Sequence, residues 1–402
     1  MKGSIIFNGN IQFETEFIEK FKENILNSNH NNKYVRENKP VLLITAAWQK
    51  REFKEEHIKQ SLYSIGIKPI FKGAFDQNVK NLSLYHNFNF FKREVPDIYD
   101  FYHSKQEVIK RVKLFYREKN SGLIKILQKQ LKLLKNTFKN ITLYKVLSYN
   151  SENVEINSIN QWELLYHYAC KDIQATMKKI RDNDKEMIKI CKEIDEYFFI
   201  NSKVNKNTVY IKLKNQMEQE ILNSNSIFIF GGHIAVLFNR LNFFKLKDAF
   251  FQALENGTNF YTVSAGSLCL CENIIVFDDN SSEWTSTGNM YDFELFDFGF
   301  GLVKKIQIFP HCKEYIDMND PDTITYTTSR FSEMMCVGLD QKSFLLLETY
   351  KEGNKEYERF LSVGKQEGVY IFNNDGSIKE TNYKEELMLP GTKVFENLRL
   401  NK

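Results

Sequence analysis

Two uninterrupted apolar runs, each ending in small residues and leading into a helical pattern, constrain this chain more than any other feature. Ile227–Phe230 stops at Gly231-Gly232 and passes into a helix-like pattern from Ile234 to Leu254. Asn256-Gly257 breaks that pattern, and a second run, Phe260–Val263, drops straight into Ser264-Ala265-Gly266-Ser267. Apolar runs alternating with helical segments imply a parallel sheet with helices packed on both faces. A hydroxyl at the end of a buried strand, followed by small residues and a new helix, has the form of a nucleophile elbow. Small residues let the backbone turn sharply and leave room for a carbonyl beside the hydroxyl.

Ser-Ala-Gly-Ser would also serve as a plain strand-to-helix connection, so its company decides the reading. Asp279 follows Ser264, and His311 ends the apolar run Ile308-Phe309-Pro310-His311. Serine, acid, histidine is the chain order in which a parallel sheet carries a catalytic triad on its strand ends. In this reading Ser264 attacks a carbonyl and His311 takes its proton. The N–H groups of Ala265 and of the Gly231-Gly232 turn hold the oxyanion. The bland alternatives are turn formation for Asp278 and Asp279, a structural hydrogen bond for His311, a surface ion pair for Arg330 and packing for His233.

These segments resemble the peptidase E and cyanophycinase family of serine peptidases, which has the class I glutamine amidotransferase-like fold. Val41-Leu-Leu-Ile-Thr-Ala-Ala47 is similar to an early strand and loop of that family. SIFIFGGHIAVLF is similar to its "GGN" strand-turn-helix, with His233 where the family usually has Asn. YTVSAGS looks like the elbow, VFDDN the acid-bearing segment and GLVKKIQIFPH the segment ending in the histidine. The resemblance thus implies Ser264, Asp279 and His311 as triad and Arg330, in SRFSEMMCVGLD, near a substrate-binding arginine. Other family members carry a Glu in a "GIDE" segment, where this chain reads Gly338-Leu339-Asp340-Gln341. Asp279 is therefore the first choice of acid, with Asp278 and Asp340 behind it. The resemblance covers residues 1–72 and about 215–400 and implies peptide or aspartyl-containing substrates; no cofactor and no metal are expected.

Between residues 75 and 213 the pattern changes. Glycine almost vanishes, and Leu123, Leu127, Leu131, Leu134, Phe138 and Ile141 recur at helical spacing. Lys125, Lys129, Lys132 and Lys139 take the opposing face. A second helical stretch runs from Trp162 to Phe199, with Leu165, Ala169, Ile173, Met177, Ile180, Ile188 and Ile194 as candidate core positions. About 25 basic residues stand against 16 acidic ones in this span. The expectation is a discontinuous α/β core, 1–74 and 214–402, interrupted by a lysine-rich helical insertion, 75–213, and closed by short C-terminal strands. The insertion is expected to face water, cap the site, pair with its copy in a homodimer or bind a partner. In the rival reading the chain is a non-catalytic scaffold that works through those basic helices.

Composition excludes little else. The net charge of +4 over 402 residues carries no global argument for nucleic acid. There is no apolar stretch long enough to span a membrane, and no signal-peptide core follows Met1. Six scattered cysteines form no CxxC pair and suggest no zinc site. A reduced, cytoplasmic protein is the simplest expectation.

Overall fold

The structure is a computed structural model that describes residues 2–9, 14–150, 159–277, 293–352, 355–364 and 368–387. Its first strands are β1 (Ile5–Asn8) and β2 (Val41–Ile44), followed by a small hairpin, β3 (Phe71–Lys72) with β4 (Phe75–Asp76), and by β5 (Val79–Asn81). After a long helical run come β6 (Ser226–Ile229), β7 (Asn259–Val263), β8 (Asn273–Phe277), β9 (Phe293–Phe298), β10 (Ile306–Pro310) and β11 (Met335–Leu339). The last strands are β12 (Ser343–Glu352), β13 (Lys355–Gly364), β14 (Val369–Phe372), β15 (Ile378–Glu380) and β16 (Glu386–Leu387).

Eight of these strands form the central sheet, in the order β16-β13-β12-β1-β7-β6-β2-β5. From β1 to β5 every pairing is parallel, and β12, β13 and β16 extend the other side antiparallel. The parallel strands have no solvent face, which is why they read as unbroken apolar runs. Ile5, Phe7, Leu42, Ile44, Ile227, Ile229 and Phe260 point into one core cluster. Their neighbours Ile6, Val41, Leu43, Phe228, Tyr261 and Val263 point into a second. In the second cluster, Phe17 and Phe21 pack around Tyr261 and Phe344. Helices therefore cover both faces.

On the β2 side the central sheet ends in β5. Pro69–Phe71 contributes nothing to that sheet: Phe71 belongs to the exposed β3–β4 hairpin, and β5 is the strand that pairs with β2. Only Val79 of the three β5 residues is both apolar and buried, too short a signal for periodicity to show. The β10 strand also lies elsewhere. It heads a separate four-stranded sheet, β10-β11-β14-β15, in which only β10 and β11 are parallel.

Two helices of 42 residues each, Pro96–Thr137 and Gln161–Ser202, dominate the helical run. Each is about 63 Å long at the usual rise per residue. Pro96 opens the first at a position where its missing N–H costs nothing. Asn160 and Glu163 form a capping box at the start of the second. The helices run antiparallel, joined by Lys105 to Asp195, Asn120 to Asp184 and Phe138 against Tyr166. Leu127, Leu131, Leu134, Ile173, Met177 and Ile180 are buried in the same cluster that fills one face of the sheet. Leu165, expected in the core, is 49% exposed because it lies near the helix start, on the side away from that cluster.

Candidate active site

Ser264 stands at the turn between β7 and the helix Ala265–Leu270, with φ 49° and ψ −112°. Positive φ is uncommon outside glycine, and strained backbone of this kind clusters at functional sites. The turn is fixed from below. The Ser264 N–H donates to the Asn8 carbonyl at 2.9 Å, and the buried Ser267 hydroxyl bonds to Thr262 Oγ1 at 2.9 Å. Gly266 lets the helix lie against β6, since a Cβ there would come within 2.2 Å of the Ile229 carbonyl oxygen.

His311 follows β10 and is itself held at φ 54°, ψ 35°. Its Nε2 lies 2.9 Å from Ser264 Oγ. The two residues thus come from different sheets, Ser264 from the end of β7 and His311 from the end of β10. On the other side of the ring, Nδ1 lies 3.6 Å from a Glu314 carboxylate oxygen. Tyr315 packs edge-on to the imidazole, with centroids 5.9 Å apart, and stacks on Phe277 at 4.4 Å.

Asp279 and Asp278 lie outside the described residues. Phe277, two residues before Asp279, is the end of β8, so the Phe277–Tyr315 stack brings that strand end beside His311. Asp340 follows β11, the neighbour of β10, but its carboxylate pairs with Lys313 Nζ at 3.0 Å. Glu314 and Tyr315 were not singled out by sequence. Only the i+3 spacing of Glu314 from His311 could have suggested it.

Gly231 and Gly232 lie against the elbow. A Cβ on Gly231 would sit 2.9 Å from the Ser264 Cβ and 3.4 Å from the Ala265 nitrogen. Gly232 has φ 131° and faces the Ala47 carbonyl, which also accepts from the His233 N–H at 3.2 Å. His233 caps the following helix, its Nδ1 accepting from the Val236 N–H at 3.3 Å. That is the work an asparagine oxygen performs at such a position, so His233 is a capping residue here. Gln49, in the loop that carries Ala47, has φ 57° and ψ −120°. Nothing in the sequence marks it, although it is a second strained residue beside this turn.

Arg330 is held within the fold. It is buried, and its Nε and Nη2 donate to the two Asp184 carboxylate oxygens at 2.8 and 3.0 Å. Its Nη1 donates to the Phe293 carbonyl and the Tyr326 hydroxyl at 3.2 and 3.3 Å. Burial by itself would lower the guanidinium pKa; the Asp184 charge outweighs it and raises the value. Through these bonds Arg330 ties the second long helix to β9.

All six cysteines are buried. Burial pushes the thiols of Cys271 and Cys312 up to about 12, so neither offers a thiolate near neutral pH. Among the described residues, no group of His, Cys, Asp and Glu is arranged to hold a metal ion. No helix of the described residues is long and apolar enough to cross a membrane.

A strained serine at a strand end, bonded to a histidine from a neighbouring strand end, defines the serine hydrolase class of site. Residues 183–352, which include Ser264 and His311, match the model of peptidase family S51. That match supports a serine peptidase-type hydrolase. The solved structure of a peptidase from an acI-B1 Actinobacterium is similar to the chain, with a TM-score of 0.46 and 11% identity. That similarity covers 96% of this chain and 97% of the other. No curated protein matches the sequence.

Proposed function

We propose that Ser264 and His311 are the nucleophile and general base of a peptidase that cleaves a peptide or isopeptide bond, with Asp279 completing the triad. The contact that carries this reading is the 2.9 Å approach of Ser264 Oγ to His311 Nε2. The hydroxyl donates its proton to Nε2 as Oγ attacks the substrate carbonyl carbon. The N–H groups of Ala265 and of the Gly231-Gly232 turn, on either side of Ser264, receive the oxyanion. The imidazolium then protonates the leaving amine, and water attacks the acyl-serine by the reverse route.

An orienting carboxylate must face Nδ1. Asp279 is favoured because it stands two residues beyond Phe277, whose ring stacks on Tyr315, the residue packed edge-on to His311. Glu314, with a half-exposed side chain 3.6 Å away, is loosely held by comparison. The core is read as a class I glutamine amidotransferase-like, doubly wound domain, 1–74 and 214–402, with residues 75–213 inserted. The inserted Pro96–Thr137 helix walls a cleft of about 750 Å³ with Ala235 and Val276, which adjoin the Gly-Gly turn and the acid-bearing segment. This placement supports a role in limiting substrates by size. Aspartyl substrates rest on family resemblance, and Arg330 cannot select them while Asp184 fills its fork. The scaffold reading leaves the strained serine and its histidine contact without a purpose.

Labelling with a fluorophosphonate tests the proposal. The wild type should label, Ser264→Ala should not, and His311→Ala should label slowly. Asp279→Asn should slow turnover of aspartyl dipeptides roughly 1,000-fold or more, and Glu314→Gln should leave it within about threefold. Undiminished labelling of Ser264→Ala would sink the assignment of the nucleophile.

A further inference from the structure

The Pro96–Thr137 helix carries a feature that the peptidase reading does not use. Val108, Phe115, Ile126 and Leu133 are 48, 64, 48 and 66% exposed. They are separated by seven, eleven and seven residues, steps that are whole turns to within about 20°. The four side chains therefore form a single line on one face, spanning about 37 Å of helix. The buried face of the same helix, with Tyr116, Leu127 and Leu134, is a quarter turn or more away. An apolar line of this length in water is an unpartnered surface.

Charge indicates what covers it. Lys113, Arg117 and Lys135 turn inward to Asp297, Glu294 and Asp322. Lys110, Arg111, Lys119, Lys125, Lys129 and Lys132 remain exposed on this helix, against two exposed acids over the same stretch, Glu107 and Glu118. Lys119 lies on the apolar line itself, and Arg111 and Lys129 border it. A partner must therefore be anionic and must accept apolar side chains at the same contact.

Shape separates two such partners. A row of protruding side chains on one helix is convex and touches a plane along its whole length, whereas a partner helix needs a groove to lie in. We propose that this face docks on an anionic lipid surface. The apolar line enters the boundary between headgroups and acyl chains, and the lysine and arginine heads stay among the lipid phosphates. The helix would lie along the membrane, not through it.

The test is co-sedimentation of the full chain with vesicles of phosphatidylcholine alone and of phosphatidylcholine mixed with phosphatidylserine. The mixed vesicles should carry the protein down, the neutral ones should carry far less, and added salt should release it. Phe115→Ser/Leu133→Ser and Lys119→Glu/Lys129→Glu each change only exposed side chains, and the folded circular dichroism spectrum should persist in both. Each pair should lower binding roughly tenfold, while fluorophosphonate labelling in solution stays at the wild-type rate. The proposal is overturned if mixed vesicles leave the protein in solution, if neutral vesicles bind it as well, or if the paired variants sediment like the wild type. A dimer that Phe115→Ser/Leu133→Ser dissociates, or duplex DNA binding without vesicle binding, would give the surface to a different partner and equally overturn it.

Discussion

Gly231 and Ser264 approach so closely that a methyl group on the glycine would stand 2.9 Å from the serine Cβ and equally near the Val263 carbonyl oxygen. Neither neighbour is a flexible chain end, so the elbow itself must shift. Displacement of a nucleophile by about an ångström costs on the order of 100-fold in rate. Gly231→Ala should therefore reduce fluorophosphonate labelling about that much while the protein still unfolds cooperatively. Labelling rates and thermal melts of the two proteins check this; unchanged labelling would show that the turn does not support the nucleophile.

Ser264 pays for its position with backbone strain, and glycine is the residue that removes it. At φ 49° and ψ −112° a side chain is disfavoured and glycine is not. Ser264→Gly should raise stability relative to Ser264→Ala by about 1 kcal/mol, although both variants are inactive. Comparing the two variants cancels the lost contact with His311. Equal urea midpoints would mean that the elbow is not strained.

The parts of this fold that sequence reveals are those where one local signal suffices. Ile227–Phe230 and Phe260–Val263 read as buried strands because both of their faces are covered. Ser264 and His311 could be chosen because each sits where such a run ends. What escaped depends on contacts across long separations. Asp184 reaches Arg330 from 146 residues away, and neither residue's surroundings announce it. The placement of β10 in a separate sheet is likewise invisible, because an apolar run does not say which strand it will join. His233 departs from the family pattern in residue type, yet its ring nitrogen still caps the helix.

The Arg330–Asp184 pair gives a prediction that separates structure from substrate binding. Removing one member of a buried ion pair leaves the other charge uncompensated, at about 3–5 kcal/mol. Arg330→Met should show that loss in urea unfolding, and Arg330→Met/Asp184→Leu should recover part of it. Well below its melting temperature, Arg330→Met should keep KM for an aspartyl dipeptide within about twofold, since removing a substrate contact would raise it tenfold or more. A large KM change with stability intact would return Arg330 to the substrate.

A titration at Glu52 should appear in stability. This carboxyl is 2% exposed, and its oxygens accept the backbone N–H groups of Tyr85 and His86, each at 2.8 Å. Burial raises its pKa to about 7; the two N–H donors and the Arg240 charge oppose the shift without cancelling it. The folded protein therefore keeps a proton that the unfolded chain has already lost between the ordinary value of 4.5 and about 7. Stability contributed by this group is present at the acid end of that window and declines as pH rises through it. The decline is at most about 1.4 kcal/mol per pH unit. Glu52→Gln cannot titrate, and its amide nitrogen faces an N–H donor, which lowers stability by about 1–3 kcal/mol at every pH. Urea unfolding across the window should show the wild type's advantage over Glu52→Gln shrinking as pH rises and levelling off above it. Parallel pH profiles for the two proteins would mean that Glu52 ionises normally in the fold and that its N–H donors outweigh its burial.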